Sequence, residues 1–102
     1  MAKPKTDDLW AAYRAGLASF VGALDRADAA GKFNDPTNFA SMLNLGLTRF
    51  GLAASELARD EAISKGAISK WMHGLAVPPP PTRKTVINWI KRKSTAQLES
   101  LK

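Results

Sequence analysis

Apolar side chains recur along most of the chain with the 3.6-residue period of a helix, and no stretch alternates cleanly as a strand does. Turn and cap signals divide this pattern at Gly31, Asp35-Pro36, Gly51 and Gly74. We therefore predict an all-α fold of about five helices after a loose tail at residues 1–6. The predicted helices cover residues 7–30, 36–50, 53–60, 65–73 and the chain from Thr82 onward.

The C-terminal part contains two further local signals. Four consecutive prolines at residues 78–81 predict a stiff, extended connector. Ser94-Thr95-Ala96-Gln97 has the spacing of a capping box, in which a serine caps a helix and a residue three positions later completes the cap. We therefore expect the last helix to break near Lys93 and a short terminal helix to follow.

The first predicted helix has a heptad-like apolar seam. Its large apolar residues are spaced alternately three and four apart, as on one side of a packed helix. This seam either packs against its own domain, self-associates, or docks another protein. We accordingly divide the chain into residues 1–34, a tail and amphipathic helix, and residues 35–102. The candidate packing or dimer surface comprises Trp10, Tyr13, Leu17, Phe20 and Leu24.

Basic charge is concentrated in the C-terminal third. The net charge is +6, and residues 65–102 carry eight basic side chains and one acid, whereas residues 1–64 carry seven basic and eight acidic ones. Such a one-sided charge favours a polyanionic partner, with nucleic acid first. A solvated basic face is the alternative interpretation of the charge.

Composition limits the chemistry. The 102 residues suffice for one domain, and with no cysteine and a single histidine we expect neither a metal site nor a cofactor. We find no paired carboxylates in an apolar setting, no glycine-rich phosphate loop and no nucleophile beside a base, so we predict no enzyme. No apolar run is long enough to span a bilayer, and we expect a cytoplasmic protein without a membrane partner.

The segment from residue 49 to residue 74 carries a recognisable motif. Glu56-Leu57-Ala58, Ile63-Ser64 and Ile68-Ser69-Lys70-Trp71 with Gly74 follow one another at fixed spacing, after Arg49-Phe50-Gly51-Leu52. With Thr85–Ile90 downstream, this pattern resembles the helix-turn-helix of the lambda-repressor-like (Cro/XRE-type) DNA-binding domains. The resemblance covers about residues 38–92.

The resemblance implies a helix-turn-helix domain with an extra N-terminal helix, and a function in transcription regulation. Residues 65–73 become the recognition helix, which enters the major groove of double-stranded DNA and reads its sequence. Relatives usually dimerise on paired half-sites, so we expect a homodimer, associated with the nucleoid when bound to DNA. RNA polymerase or a regulator protein is a further candidate partner.

The resemblance implies candidate DNA contacts by position in the motif and at the start of the last helix, which in relatives runs near the DNA backbone. The cations at residues 91–93 are candidates by their charge, and the alternative is that they only solubilise the helix end. The resemblance implies that the lysines of the motif face base edges, that its small residues allow close approach, and that its hydroxyls and one histidine face phosphates. The alternatives are solvated surface lysines and a histidine that only interacts with the last carbonyls of its helix. The candidates in the motif are Ser64, Lys65, Gly66, Ala67, Ser69, Lys70 and His73. The candidates on the last helix are Arg83, Lys84, Lys91, Arg92 and Lys93.

The chain departs from the family pattern at the start and end of the first motif helix. Ala53 and Ala54 replace a capping threonine and a phosphate-contacting glutamine, and Ala62 replaces the turn glycine. Glu61 stands at a usually apolar position. These departures keep an alternative function open, in which the same fold serves as a protein-interaction module of the antiactivator or antitoxin kind.

Overall fold

The computed structural model describes residues 5–101, with side chains from residue 8, and this part of the chain is all-α. Its five α-helices are α1 (Lys5–Ala29), α2 (Pro36–Asn44), α3 (Ala54–Glu61), α4 (Lys65–Met72) and α5 (Pro80–Ser100). A 3₁₀ turn at Lys32–Asn34 separates α1 from α2. Residues 1–4 of the predicted tail (1–6) lie outside the described residues. Helix α1 begins at Lys5, two residues before the predicted start at residue 7.

The predicted caps define two of the helix starts. Asp35 accepts hydrogen bonds from the backbone amides of Thr37 at 2.7 Å and Asn38 at 3.3 Å, ahead of the N-terminal proline of α2. Ser64 accepts from the amide of Ala67 at 3.1 Å and so caps α4. Each cap satisfies amides that the first turn of a helix leaves without partners.

The end of α2 is more complex than predicted. A π-helical turn, Leu45–Arg49, continues α2, and the Phe50 amide closes it with a 3.1 Å hydrogen bond to the Leu45 carbonyl. Gly51 then adopts the left-handed conformation with φ of 70°, which costs glycine little because it has no Cβ. The chain therefore reverses at the predicted glycine, after a wider turn.

The break predicted in the last helix is wrong. Helix α5 runs without interruption from Pro80 to Ser100, because Ser94 is fully buried and its hydroxyl donates to the Ile90 carbonyl instead of capping a new helix. The predicted start of this helix, Thr82, is also two residues too late, because α5 begins at Pro80. Prolines are tolerated in the first turn of a helix, where their missing amide is not needed. The last two of the four prolines therefore belong to α5.

Helix α5 lies at the centre of the packing. Its residues Val86, Ile87, Trp89 and Ile90 are buried, and α1 and α3 both pack against it. Helix α2 packs against α4, so that α4 is held by α2 and α3 together. None of the helices in the described part of the chain is long and apolar enough to cross a membrane.

The seam on α1 packs mainly against the rest of this chain. Leu17, Phe20 and Leu24 are buried in the core, and the Tyr13 hydroxyl contacts the Phe50 carbonyl at 3.4 Å. Only Trp10 of the five seam residues is exposed. The first of the three alternatives, packing within the domain, therefore accounts for most of this surface. Leu17 and Leu24 are not free to form a dimer contact, whereas one edge of Phe20 still lines an open groove.

Candidate nucleic-acid interface

Helices α3 and α4 are joined by three residues, Ala62, Ile63 and Ser64. Ala62 takes the left-handed conformation, with φ of 53° and ψ of 45°, and thereby reverses the chain after α3. Leu57 of α3 and Ile68 of α4 are buried in the same core. These contacts hold the two short helices together, because neither is long enough to be stable alone in water.

Helix α4 has one side buried in the core and the opposite side exposed. Ile68 and Trp71 point into the core, where the Trp71 ring meets the Phe39 ring edge-on, with ring centroids 6.1 Å apart. The opposite side carries the residues at positions i, i+1, i+4, i+5 and i+8, which share one face of a helix. The exposed residues of this outward face are Lys65, Gly66, Ser69, Lys70 and His73.

Two lysines give the outward face its charge. Neither Lys65 nor Lys70 forms an ion pair with any side chain in the part of the chain that the structure describes. A Cβ added at Gly66 would meet no atom within 4 Å, so the backbone there is open to a ligand. The structure thus brings together five of the seven candidates in the motif on one accessible surface.

The remaining two motif candidates have structural contacts. Ser64 is exposed but its hydroxyl oxygen already accepts the Ala67 amide. Ala67 is half-buried against the core.

His73 lies on the outward face, yet its Nδ1 donates to the Ser69 carbonyl at 2.7 Å and closes the end of α4. Its Nε2 is the ring nitrogen left for a further contact.

The cations of α5 have carboxylate partners on α1. Lys91 Nζ lies 2.8 Å from Asp28 and 3.3 Å from Asp25, and Lys84 Nζ lies 3.3 Å from Asp28. Burial opposes ionisation of Asp28, but the hydrogen bonds from Lys91 and Lys84 outweigh it, and the pKa of Asp28 lies below its ordinary value. The hydrogen bond to Asp28 is the main cause of a raised pKa at Lys91.

The next cations on α5 pair with α3. Arg92 lies 3.5 Å from Glu61, and Lys93 lies 3.6 Å from Glu56 and 3.7 Å from Asp60. Asp60 also accepts the Trp89 indole N–H at 3.0 Å, and this hydrogen bond is the main reason that the pKa of Asp60 is lowered. Glu61, unexpected at an apolar position of the motif, thus has a cationic partner.

These ion pairs change the charge distribution that the sequence indicates. Lys84, Lys91, Arg92 and Lys93 lie within ion-pair distance of acids of α1 or α3, while the side chains of Lys84 and Arg92 stay more than half exposed. Arg83 has no carboxylate partner among the described residues, and its guanidinium donates to the Pro78 carbonyl at 3.4 Å. The structure does not bring the five α5 candidates onto the outward face of α4.

A groove beside α4, with hydroxyl and amide groups in its lining, was missed by sequence reasoning. It has a volume of about 640 Å³ and lies between α2 and the end of α4. Thr37, Ser41 and Thr48 line its α2 side, and Asn44 donates to the Met72 carbonyl at 2.7 Å across it. The helical spacing of these polar residues was the available signal, but their position beside His73 depends on how α2 packs against α4.

Comparison of the chain with family models, with curated proteins and with solved structures finds no match. The candidate interface therefore rests on the geometry and charge of the chain's own residues. Those residues are the outward face of α4, which carries the two lysines, and the hydroxyl-lined groove next to it.

Proposed function

We propose that the protein binds double-stranded DNA in a sequence-specific manner and acts as a transcriptional regulator, with α4 in the major groove. The observation that supports this proposal is the outward face of α4, whose lysines lack carboxylate partners while four of the five candidate cations on α5 have them. A cation that has no intramolecular partner is available for an external anion. The major groove of B-DNA, about 12 Å wide, admits one helix.

Each outward side chain has a chemical role in this arrangement. Lys65 and Lys70 donate to the O6 and N7 atoms of guanine, the acceptors that this base presents in the major groove. Gly66 has no side chain and allows the helix backbone to approach the bases. Ser69 donates to a phosphate, as does the Nε2 of His73 when the imidazole is protonated, and the hydroxyls of Thr37 and Ser41 extend these contacts along the backbone of the duplex.

A single recognition helix reads only a few base pairs, so we propose that two copies act together on paired half-sites. The base sequence of the DNA site, and whether binding represses or activates transcription, are properties separate from this mode of binding. A surface for RNA polymerase or for a regulator protein would lie outside the α3–α4 unit, because α4 is occupied by DNA in this arrangement.

Binding of a short fluorescent duplex, followed by anisotropy at about 150 mM salt, tests this proposal. The double variant Lys65→Ala/Lys70→Ala should bind at least about tenfold more weakly, because each lysine–guanine contact contributes about 1–3 kcal/mol. The matched control is Arg14→Ala/Arg26→Ala, which removes two exposed cations from α1 and leaves α4 intact. Equal losses in both variants would show that the overall positive charge, and not α4, binds DNA.

The absence of binding by the unmodified chain would favour the second function, a protein-interaction module. The uncapped start of α3 is the observation that supports this alternative. Ala53 makes no side-chain cap, and neither Ala53 nor Ala54 has a polar group that could contact a phosphate.

A further inference from the structure

An open apolar groove runs between α1 and α2, and no residue of α5 lines it. One part, of about 330 Å³, is lined by Phe20, Ala23 and Leu45 and ends at Lys32. An adjoining part, of about 340 Å³, shares these three residues and continues to Gly16. Leu45 is 41% exposed there. The groove is therefore a single apolar surface that nothing in the described chain covers.

The same helix exposes an apolar side chain beyond the end of the groove. Leu9 is 68% exposed and follows Asp8, which is also exposed. Leu9, Gly16, Phe20, Ala23 and Ala27 are spaced seven, four, three and four residues apart, so they lie along one side of α1. Leu9 thus continues the line of residues that forms one wall of the groove.

We infer that a second copy of this chain occupies the groove, with the two α1 helices antiparallel. In this arrangement Leu9 of one copy enters the groove of the other beside Ala27. Leu9 and Ala27 are equally distant in sequence from Ala18, and Gly16 and Phe20 are too. A two-fold axis near Ala18 therefore pairs Leu9 with Ala27 and Gly16 with Phe20 at both ends simultaneously, as an isologous interface requires.

Charge complementarity supports a second copy as the occupant. Asp8 comes next to Leu9, and Lys32 lines the groove at the end where Ala27 lies. Neither Asp8 nor Lys32 forms an ion pair in the part of the chain that the structure describes. The antiparallel arrangement places Asp8 of each copy near Lys32 of the other, so one interface contains two such pairs.

The paired arrangement also explains a glycine at position 16, which the packing within one chain does not require. A Cβ at Gly16 would meet only the Phe50 ring, at an ordinary distance of 3.9 Å, and glycine within a helix costs about 1 kcal/mol relative to alanine. In the paired molecule Gly16 lies opposite the groove wall that contains Phe20 of the second copy, and the absence of a side chain lets the two α1 backbones approach closely. The outward face of α4 does not line this groove, so the dimer can form without DNA, although Ser41 and Leu45 line both this groove and the one beside α4.

Sedimentation velocity of the full chain without DNA, over a concentration series, tests the inference. We expect a monomer–dimer equilibrium in which Leu9→Asp raises the dissociation constant at least about tenfold, since it places a carboxylate in the apolar groove. The matched control is Leu75→Asp, which changes a leucine that is 76% exposed in the turn after α4 and should have no effect. A monomer at every concentration, or equal effects of both variants, would overturn the inference.

Charge reversal tests the paired ends. Asp8→Lys and Lys32→Glu should each weaken the dimer, and the variant with both changes should recover most of the affinity, because the pair is restored with opposite sign. All four proteins should give the same circular dichroism spectrum, since both side chains are exposed. Additive weakening in the double variant would show that the two residues do not meet.

Cross-linking tests the register directly, because the chain has no cysteine of its own. Leu9 and Ala27 are about 27 Å apart along one helix, so Leu9→Cys/Ala27→Cys can form a disulfide only between two copies. Mild oxidation should give covalent dimers of this variant and none of Leu9→Cys/Leu75→Cys. Equal cross-linking of both variants, or of neither, would contradict the proposed register.

Discussion

At the scale of single residues, Ala62 has the most consequential conformation. It is the one residue other than glycine with positive φ in the part of the chain that the structure describes, and it forms the turn between α3 and α4. The left-handed conformation costs an L-residue with a Cβ about 1–2 kcal/mol. The position of α4, and with it the candidate interface, is therefore maintained at the expense of local strain.

Ala62→Gly should remove this strain and raise the free energy of unfolding by about 0.5–1 kcal/mol. Urea unfolding followed by tryptophan fluorescence measures the change. Ala96→Gly is the control, because Ala96 is exposed within α5 and glycine there should lower stability by about 1 kcal/mol. A loss of stability in Ala62→Gly would mean that the Ala62 methyl group has a packing role that outweighs its backbone strain.

At the scale of elements, helix starts differ in how well they are capped. The Asp35 carboxylate caps α2 through two backbone amides, whereas Ala53 leaves the first amides of α3 without a side-chain partner. The two helices are of similar length, at nine and eight residues. The contribution of an N-cap to stability can therefore be compared at the starts of α2 and α3 within one molecule.

Ala53→Asp should stabilise the protein by about 1 kcal/mol, because it supplies the missing cap of α3. Asp35→Ala should destabilise it by a similar amount, about 1 kcal/mol, by removing the existing cap of α2. Thermal unfolding of the two variants beside the unmodified chain gives both values. If Ala53→Asp were neutral while Asp35→Ala was costly, water would already satisfy the first turn of α3 as well as a carboxylate does.

Elements also show what the sequence allowed us to predict. The starts of α2 and α4 follow from Asp35 and Ser64, whose side chains act on amides two or three residues away. The uninterrupted course of α5 could not be predicted, because Ser94 is buried by tertiary contacts and its hydroxyl donates within the helix. Local chemistry therefore predicted the caps, and packing determined whether a serine acted as one.

At the scale of the whole molecule, ion pairs join α5 to both of its neighbours. Lys84 and Lys91 pair with acids of α1, and Arg92 and Lys93 pair with acids of α3. A count of charges along the chain identified the basic C-terminal third but not these partners, which lie 31 to 66 residues away in sequence. The unpaired lysines of the candidate interface therefore lie on α4, and the contact of the α5 cations with DNA stays a prediction.

These pairs make stability depend on pH. The pKa of Asp28 is lower in the folded chain than its unfolded value of about 3.9, so its contribution is present above about pH 4 and is lost as the pH falls through the folded pKa. Asp28→Asn should therefore lower the free energy of unfolding at neutral pH by about 1.5–3 kcal/mol, the usual contribution of a charge-assisted hydrogen bond. The same variant should show less further loss below pH 4.

Urea unfolding at several pH values, from neutral to acid, measures both effects. Glu99→Gln is the control, since Glu99 is exposed and has no ion pair among the described side chains. The prediction fails if Asp28→Asn and the unmodified chain lose stability in parallel on acidification.

Selection of bound fragments from a random DNA library tests the central claim, that the outward face of α4 reads sequence, most directly. At about 150 mM salt, the unmodified chain should enrich one motif, and Lys70→Ala should relax the preference at one base pair of it while costing about 1–3 kcal/mol at the preferred site. Enrichment of an inverted repeat would also indicate that two copies bind together. An unmodified chain that enriches no motif, or a Lys70→Ala variant with an unchanged motif and affinity, would contradict the claim.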